Sequence, residues 1–168
     1  MTNMTLIPYD FKEIYIISGG QTGADQGALE GAVMAGFKTG GFAPREYKTE
    51  KGPMLELGEK FKLIATTSSD YVYRTKLNAS SSSMTIWFGS NDSAGFKATL
   101  SACNSHNKPF FDVSNFTDDD IVKLIKEKKP VVINVAGNRE SKAVGIQERV
   151  KNTIYNVLNK LKTIDNKE

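Results

Sequence analysis

Apolar segments of strand length alternate along the chain with segments whose apolar residues recur at helical spacing. Continuous apolar runs predict strands at 13–18, 61–66, 84–88, 109–113 and 131–136. Helical spacing predicts helices at 25–35, 70–78, 94–106, 117–129 and 141–162. Strands that are apolar on both faces and alternate with helices are typical of a parallel sheet covered on both sides. We therefore predict an α/β protein with a Rossmann-like three-layer fold, a mostly parallel sheet and helices on both faces.

Several helix ends are marked by local signals. Gly36 stands where a glycine C-cap ends the first helix. Either Ser69 or Asp70 caps the second helix, and Thr117 with Asp120 has the spacing of a capping box. Open parallel sheets bind ligands beyond the carboxyl ends of their strands. The loops after Ser18, Thr66, Phe88 and Val135 are therefore the candidates for a binding site.

The first of these loops reads SGGQTGAD over residues 18–25 and precedes a helix. Its glycines allow close backbone approach, and a helix N-terminus favours an anion. The spacing matches neither the dinucleotide motif nor the P-loop. A tight turn that needs glycine for geometry alone is the alternative, and Asp25 either caps the helix or contacts a ribose or an amine. The predicted ligand contacts in this loop are Gly19, Gly20, Gln21, Thr22, Gly23 and Asp25.

Two further segments carry candidate anion contacts. The loop at 40–53 is long for a compact domain. A functional role and a solvent-exposed excursion explain its length about equally well. Arg45 is its preferred anion contact, because the preceding proline stiffens the chain and the guanidinium fork suits phosphate. In the helix at 70–78, Arg74 and Asn78 are four residues apart and share a face. We include both as ligand contacts because this helix begins at a strand's carboxyl end.

The last two loops join glycine and hydroxyl residues to a following helix. Ser93 and Gly95 lie in the loop at 89–99, where Asp92 is a candidate partner for ribose hydroxyls. In the loop at 136–146, the expected helix N-terminus at Ser141 would form a second anion cradle with two cations. These cations are Arg139 and Lys142. Glu140 beside them is expected to neutralise Arg139 if it takes no other role.

The composition narrows the choice of function. The 168 residues include 39% hydrophobic and 24% charged residues, which indicates a folded domain, and we expect one domain over 1–168 with its core at about 14–162. One cysteine and one histidine exclude an intrachain disulfide and a thiolate-rich metal cage, so no metal site is expected. The net charge of +3 is spread along the chain, which disfavours nucleic acid as a partner. The apolar runs are too short to span a membrane, so we expect a cytoplasmic protein.

Four segments resemble the molybdenum-cofactor carrier family of the SLOG superfamily. They read SGGQTGAD, GGFAPREYKTEKGP, DYVYRTKLN and NVAGNRESKAVGI, in order, within about residues 14–150. The resemblance implies a Rossmann-like sheet and a homodimer or homotetramer. It also implies that the cofactor's phosphate is held by the first glycine loop and by the loop around Ser93 and Gly95. The molybdenum would be held by the cofactor's own dithiolene.

The sequence departs from its relatives in one loop. The later loop of the carriers reads Gly-Gly-Thr, whereas this chain has Ala94-Gly95-Phe96. The related phosphoribohydrolases have a catalytic glutamate at a position that falls here on Ser101, which cannot act as a general base. This favours a non-catalytic protein that carries or sequesters molybdenum cofactor or a nucleotide-derived molecule such as an ADP-ribose-type signal. The alternative is a nucleoside-monophosphate phosphoribohydrolase-like enzyme, in which Asp25, Asp92 or Glu140 replaces the missing glutamate.

Overall fold

Nine strands and six α-helices make up the computed structural model, which describes residues 7–164. In chain order the strands are β1 (Tyr15–Ile17), β2 (Lys38–Gly40), β3 (Phe42–Ala43), β4 (Lys48–Thr49), β5 (Gly52–Pro53), β6 (Ile64–Ala65), β7 (Met84–Phe88), β8 (Phe110–Asp112) and β9 (Val132–Gly137). The α-helices are α1 (Ala24–Met34), α2 (Glu56–Phe61), α3 (Tyr71–Ser81), α4 (Ala94–Ser105), α5 (Asp118–Lys128) and α6 (Ile146–Lys162). Short 3-10 turns occupy Phe11–Glu13, Arg45–Tyr47 and Glu140–Lys142.

Five of the strands form one parallel sheet in the order β2-β1-β9-β7-β8. Its register places Ile16 opposite Ile133 in β9, and Ile86 opposite Val135. The chain moves outward from β1 to β2 on one side and from β7 to β8 on the other, and β9 enters between them. The loops that follow β1, β9 and β7 therefore meet at the carboxyl edge of the sheet, where such folds bind ligands.

Helices cover both faces of this sheet. On one face α1, α5 and α6 pack over the main apolar core, which includes Ile16, Ile86 and Val135. On the other face α3 and α4 pack together through Ala79, Ala102 and Cys103. This arrangement confirms the predicted α/β fold with a parallel sheet between two helical layers.

The local signals in the sequence also hold in the structure. Gly36 follows α1 with a φ of 81°, a conformation that glycine adopts without strain. Asp70 caps α3 by accepting a hydrogen bond from the Val72 N–H. Thr117 and Asp120 form the reciprocal capping box at the start of α5.

Two predicted elements are wrong in their boundaries. The last helix begins at Ile146, not at residue 141, because Glu140–Lys142 form a 3-10 turn and Gly145 follows with a φ of 92°. The run at 61–66 is not one strand. Phe61 ends α2, where Leu57 and Phe61 share a buried face one helical turn apart. Only Ile64–Ala65 is extended, and it pairs with β3 outside the central sheet.

No helix within residues 7–164 is long and apolar enough to cross a membrane.

Candidate functional site

A cleft of about 650 Å³ opens at the carboxyl edge of the sheet, between α3 and α4. Its floor is formed by Trp87 of β7 and by Ala136 and Gly137 of β9. One wall comes from the first turns of α3, and the facing wall from the N-terminal half of α4. The loops after β1 and β9 close the remaining side with Gln21, Asp25, Asn138, Arg139 and Lys142. The cleft therefore lies where the strand order predicted a ligand site.

A buried ion pair joins α1 to α3 beside this cleft. Arg74 Nη1 lies 3.8 Å from Asp25 Oδ2, and the two side chains are 13% and 5% exposed. Burial raises the pKa of Asp25, and the opposing charge of Arg74 lowers it only in part. Arg74 Nε is buried with no hydrogen-bond partner in the described part of the chain. The pair joins the two helices at the cleft, which both residues line, and ligand contacts from Asp25 and Arg74 stay predictions.

Three backbone N–H groups of the first glycine loop donate hydrogen bonds to acceptors within the protein. The Gln21 N–H donates to Asp25 Oδ2 over 3.2 Å, and the Thr22 N–H donates to Gln21 Oε1 over 3.0 Å. The Gly23 N–H donates to Gln147 Oε1 over 3.0 Å. The loop is therefore held in shape by its own side chains and by α6, and Asp25 serves as an acceptor inside the loop.

Close packing explains why this loop is rich in glycine. A Cβ on Gly19 would overlap the guanidinium of Arg74, and a Cβ on Gly20 would crowd Leu63. A Cβ on Gly23, whose φ is 85°, would overlap the backbone carbonyl oxygen of Asn138. These contacts account for the three glycines without a ligand, so their predicted role in binding an anion stays a prediction.

The carboxylate of Glu50 accepts hydrogen bonds from several donors next to the cleft. Glu50 lies at the turn between β4 and β5, and its carboxylate accepts hydrogen bonds from the hydroxyls of Thr22 and Ser141. It also accepts the Ser141 N–H over 3.2 Å, while its own N–H donates to Gln21 Oε1 over 2.8 Å. Partial burial raises the pKa of Glu50, but these hydrogen bonds and the charge of Arg139 outweigh it and lower the pKa overall.

Two cations of the cleft form no salt bridge with the described residues. Arg139 and Lys142 both line the cleft, and neither side chain makes an ion pair or a hydrogen bond with any residue from 7 to 164. On the opposite wall, Ser93 caps α4 by accepting the Phe96 N–H over 3.1 Å. Gly95 in the first turn of α4 lines the cleft without a side chain. Arg139 and Lys142 therefore bring positive charge to one side of the cleft, and the N-terminus of α4 faces the cleft from the other wall.

Asn138 connects the loops that follow β7 and β9. Its Oδ1 accepts the Ser90 N–H over 2.7 Å, and its own N–H donates to the Phe88 carbonyl over 3.1 Å. A Cβ on Gly89 would overlap this amide. The sequence analysis did not select Asn138 or Glu50. The length of the loop at 40–53 signalled function near Glu50, but nothing local to Asn138 marked it.

Seven of the predicted ligand residues are not part of the cleft lining, namely Gly19, Gly20, Thr22, Gly23, Arg45, Asn78 and Ser141. Both polar groups of the Asn78 side chain bind the backbone of Phe42, whose N–H donates over 2.8 Å and whose carbonyl accepts over 2.9 Å. Arg45 is exposed, and its N–H donates to the Ser68 carbonyl over 2.8 Å. Asn78 therefore fastens β3 to α3, and ligand contacts from both residues stay predictions.

The three carboxylates considered for a hydrolase are not gathered in the cleft. Glu140 caps α6 by accepting the N–H groups of Gly145, over 2.6 Å, and of Gln147, over 3.0 Å. Asp92 is exposed and is not part of the cleft lining. Asp25 is committed to the ion pair described above. Across residues 7–164, no group of three or more histidine, cysteine, aspartate or glutamate side chains is placed to hold a metal ion.

A match to a known protein family identifies the family of this chain. The family described as the circularly permutated YpsA SLOG family matches residues 16–158. The chain belongs to this family. The match covers all five strands of the central sheet except the first residue of β1, and the cleft lies within it. The resemblance to SLOG proteins expected from the sequence motifs is therefore confirmed.

A solved structure agrees with this membership. A protein from Syntrophus aciditrophicus SB, named "putative molybdenum carrier protein", is similar to this SLOG chain with 28% sequence identity and a TM-score of 0.76. The similarity covers 90% of this chain and 96% of the Syntrophus protein. The comparison with curated proteins gives no match.

Proposed function

We propose that this SLOG protein carries or sequesters a small molecule that bears a phosphate group, and that the molecule binds in the cleft at the carboxyl edge of the sheet. The observation that carries the proposal is the pair of cations, Arg139 and Lys142, which line the cleft and form no salt bridge among residues 7–164. Unpaired cations beside a concave surface favour an anionic ligand.

The remaining walls suit a flat, partly apolar ligand. Tyr71, Val72, Ala94 and Ala98 present apolar surface, and Thr75 and Ser90 add neutral hydrogen-bonding groups. Pockets that combine apolar walls with a few polar groups are typical of small-molecule sites. A cleft of about 650 Å³ has room for a nucleotide-sized molecule. A heterocycle bearing a phosphate fits this division into an apolar end and a cationic end.

Two cargoes satisfy this description. Molybdenum cofactor is a phosphorylated pterin whose own dithiolene holds the metal, and the name of the Syntrophus protein supports it. A nucleotide-derived molecule, such as an ADP-ribose-type signal, has the same combination of ring and phosphate. Carrying either cargo requires no catalytic carboxylate, and the proposal therefore does not include hydrolysis.

The cargo can be identified directly. The protein is purified under mild conditions and denatured, and the released small molecule is analysed by mass spectrometry together with elemental molybdenum. A pterin with molybdenum would support the carrier role, and an adenine compound without metal would support sequestration of a nucleotide. Release of free base and ribose phosphate on incubation with nucleotides would contradict a non-catalytic role.

Binding in the cleft can be tested with two charge-removing variants. We expect Arg139→Ala and Lys142→Ala each to weaken binding of the released cargo roughly tenfold or more, because each removes a charge-assisted contact worth about 1.5–3 kcal/mol. Trp87, the one tryptophan of the chain, lines the cleft, so its fluorescence reports occupancy.

Lys126→Ala on α5 is the matched control. Lys126 is exposed and is not part of the cleft lining, so its loss should leave binding unchanged. Equal binding by all three variants would contradict the assignment of the site.

The proposal also includes a cytoplasmic, single-domain protein that assembles as a homodimer or homotetramer, as the family resemblance implies. Exposed apolar side chains such as Val33 and Met34 on α1 support association. Sedimentation analysis of the purified protein measures the number of copies.

A further inference from the structure

The turn between β4 and β5 is held against the cleft by one side chain. The Glu50 carboxylate accepts hydrogen bonds from the hydroxyls of Thr22 and Ser141 and from the Ser141 N–H. Thr22 belongs to the loop after β1, and Ser141 to the loop after β9. Its carboxylate therefore joins three separate segments of the chain. Glu50 itself is only partly buried, so solvent reaches this contact.

The donors around Glu50 are those that bind a phosphate oxygen. Two hydroxyls and one backbone N–H converge on the carboxylate, and Arg139 contributes positive charge nearby. Neutral donors of this kind, combined with a cation, are the usual partners of phosphate groups in proteins. A carboxylate in this position has the charge and the acceptor oxygens of the anion that the proposed function requires.

This subsite is continuous with the cleft. Gln21 lines the cleft and accepts the Glu50 N–H through its Oε1. Ser141 lies between Arg139 and Lys142, which both line the cleft. An anion that replaced the Glu50 carboxylate would therefore keep Arg139, whose charge already acts on that carboxylate, as a neighbour.

The rest of the hairpin is short. Each of its strands has two residues, and the turn residue Lys51 is exposed. Its base is anchored where the Met54 N–H donates to the Tyr47 carbonyl over 3.0 Å. Thr49 is buried, and its hydroxyl bonds the Gly52 carbonyl and the Lys51 N–H, so the turn keeps its own shape. The Glu50 carboxylate supplies the side-chain contacts that hold this turn against the loops after β1 and β9, so their loss would release it from those loops.

We propose that Glu50 is an internal competitor, whose carboxylate occupies an anion subsite formed by Thr22 and Ser141 until the phosphate of the ligand displaces it and releases the β4–β5 turn. The inference rests on the proposed function, because it requires a phosphate-bearing ligand. It assigns that ligand's phosphate to a specific subsite, where the phosphate and the Glu50 carboxylate compete for the same hydrogen-bond donors.

The decisive experiment measures binding of inorganic phosphate at neutral pH by phosphorus NMR titration. The proteins compared are the full-length wild type and Glu50→Gln, which keeps the shape of the side chain and removes its charge. We expect Glu50→Gln to bind phosphate roughly 5- to 50-fold more tightly, because removing a competing state raises apparent affinity by the weight of that state. Thr22→Val and Ser141→Ala, made in the Glu50→Gln background, should each reverse the gain.

Hydrogen exchange of the segment 47–54 gives a second readout. In the wild type, phosphate should accelerate exchange at the Glu50 amide, since displacement breaks its bond to Gln21. Glu59→Gln is the matched control. Glu59 is an exposed carboxylate on α2, outside the cleft and the hairpin, so its loss should leave phosphate affinity unchanged.

Each remaining outcome counts against the inference. Equal or weaker phosphate binding by Glu50→Gln, with loss of affinity in Thr22→Val, would show that Glu50 is a structural or ligand-binding residue while the anion site stands. No phosphate binding by either protein would overturn the subsite, because a subsite without its competing charge must accept the free anion. The proposed function would then be judged separately, by the cargo that mass spectrometry finds.

Discussion

At the scale of single residues, the polar side chains of this SLOG protein divide into those bonded to other segments of the chain and those without such a bond among residues 7–164. Asn78 and Glu140 use their polar atoms on backbone groups of neighbouring segments. Arg139 and Lys142 have no such use among residues 7–164. Residue type and spacing alone do not distinguish the two groups, because both kinds appear in the same loops.

The ion pair between Asp25 and Arg74 sets a residue-scale prediction. Asp25→Asn leaves Arg74 buried without a counter-charge and replaces one of the two carboxylate oxygens by an NH2 group, which cannot accept a hydrogen bond. Breaking a buried pair in this way is expected to cost about 3 kcal/mol of the free energy of unfolding. Urea denaturation of the purified variant measures the loss. Asp92→Asn, at an exposed site, should change stability by less than about 0.5 kcal/mol.

The lowered pKa of Glu50 predicts a dependence of stability on pH. Glu50 is ionised in the folded protein at a pH where an ordinary glutamate, with a pKa of about 4.3, begins to take up a proton. A group whose folded-state pKa is lowered stabilises the fold above its unfolded pKa and loses that contribution as the pH falls through the folded pKa. The stability difference between wild type and Glu50→Gln should therefore be full near neutral pH and shrink below about pH 4.3.

Thermal unfolding of the two proteins across this pH range checks the prediction. The comparison isolates Glu50 from Asp25, whose raised pKa has the opposite sign and is present in both proteins. A stability difference that stays constant down to pH 3 or so would contradict an ionised Glu50 in its hydrogen-bonded position.

At the scale of elements, close contact between α1 and α6 organises the main core. Gly27 and Gly31 are one helical turn apart on α1, and a Cβ on either would overlap backbone carbonyl oxygens of Gln147 and Lys151 on α6. Small residues let two helix backbones approach, as ridges pack into grooves. The apolar face of α1 is predictable from the sequence, but this contact is not, since a glycine within a helix has no side chain to contribute to the apolar pattern.

Gly31→Ala is expected to destabilise the protein despite the better helix propensity of alanine. Propensity alone would favour alanine by up to about 1 kcal/mol. Overpacking against the Lys151 carbonyl costs roughly 1–3 kcal/mol, so after the propensity gain the free energy of unfolding should fall by up to about 2 kcal/mol. Gly95→Ala on α4 is the control, since its nearest neighbour is Trp87 at 3.5 Å and it should be neutral or stabilising. Equal stability gains for both variants in urea denaturation would contradict tight packing of α1 on α6.

Elements with strong local signals were predictable, and those that depend on tertiary contacts were not. The buried strand β7 and the capping box at Thr117 follow from side-chain pattern alone. The late start of α6 depends on Glu140, which turns back to cap the helix from a 3-10 turn. The residues 61–66 were apolar enough for a strand, but burial of Leu57 and Phe61 against Leu29 favours a helix through Phe61.

At the scale of the whole molecule, the sequence by itself determined the layers and the edge of the sheet at which to look for a site. Alternation of apolar strands with amphipathic helices has one common packing solution, a parallel sheet covered on both faces. In such folds the ligand loops follow the carboxyl ends of the strands, and the cleft lies at that edge.

Only the tertiary structure decided which residues of those loops face the cleft. The strand order β2-β1-β9-β7-β8 brings together loops that are more than 100 residues apart, so Thr22 meets Ser141 and the Glu50 carboxylate comes between them. The same packing bonds the polar atoms of Asn78 and Glu140 to backbone groups and leaves Arg139 and Lys142 open to the cleft. Local pattern specifies which surface of an element is buried, whereas the partner of each polar atom depends on segments distant in the chain.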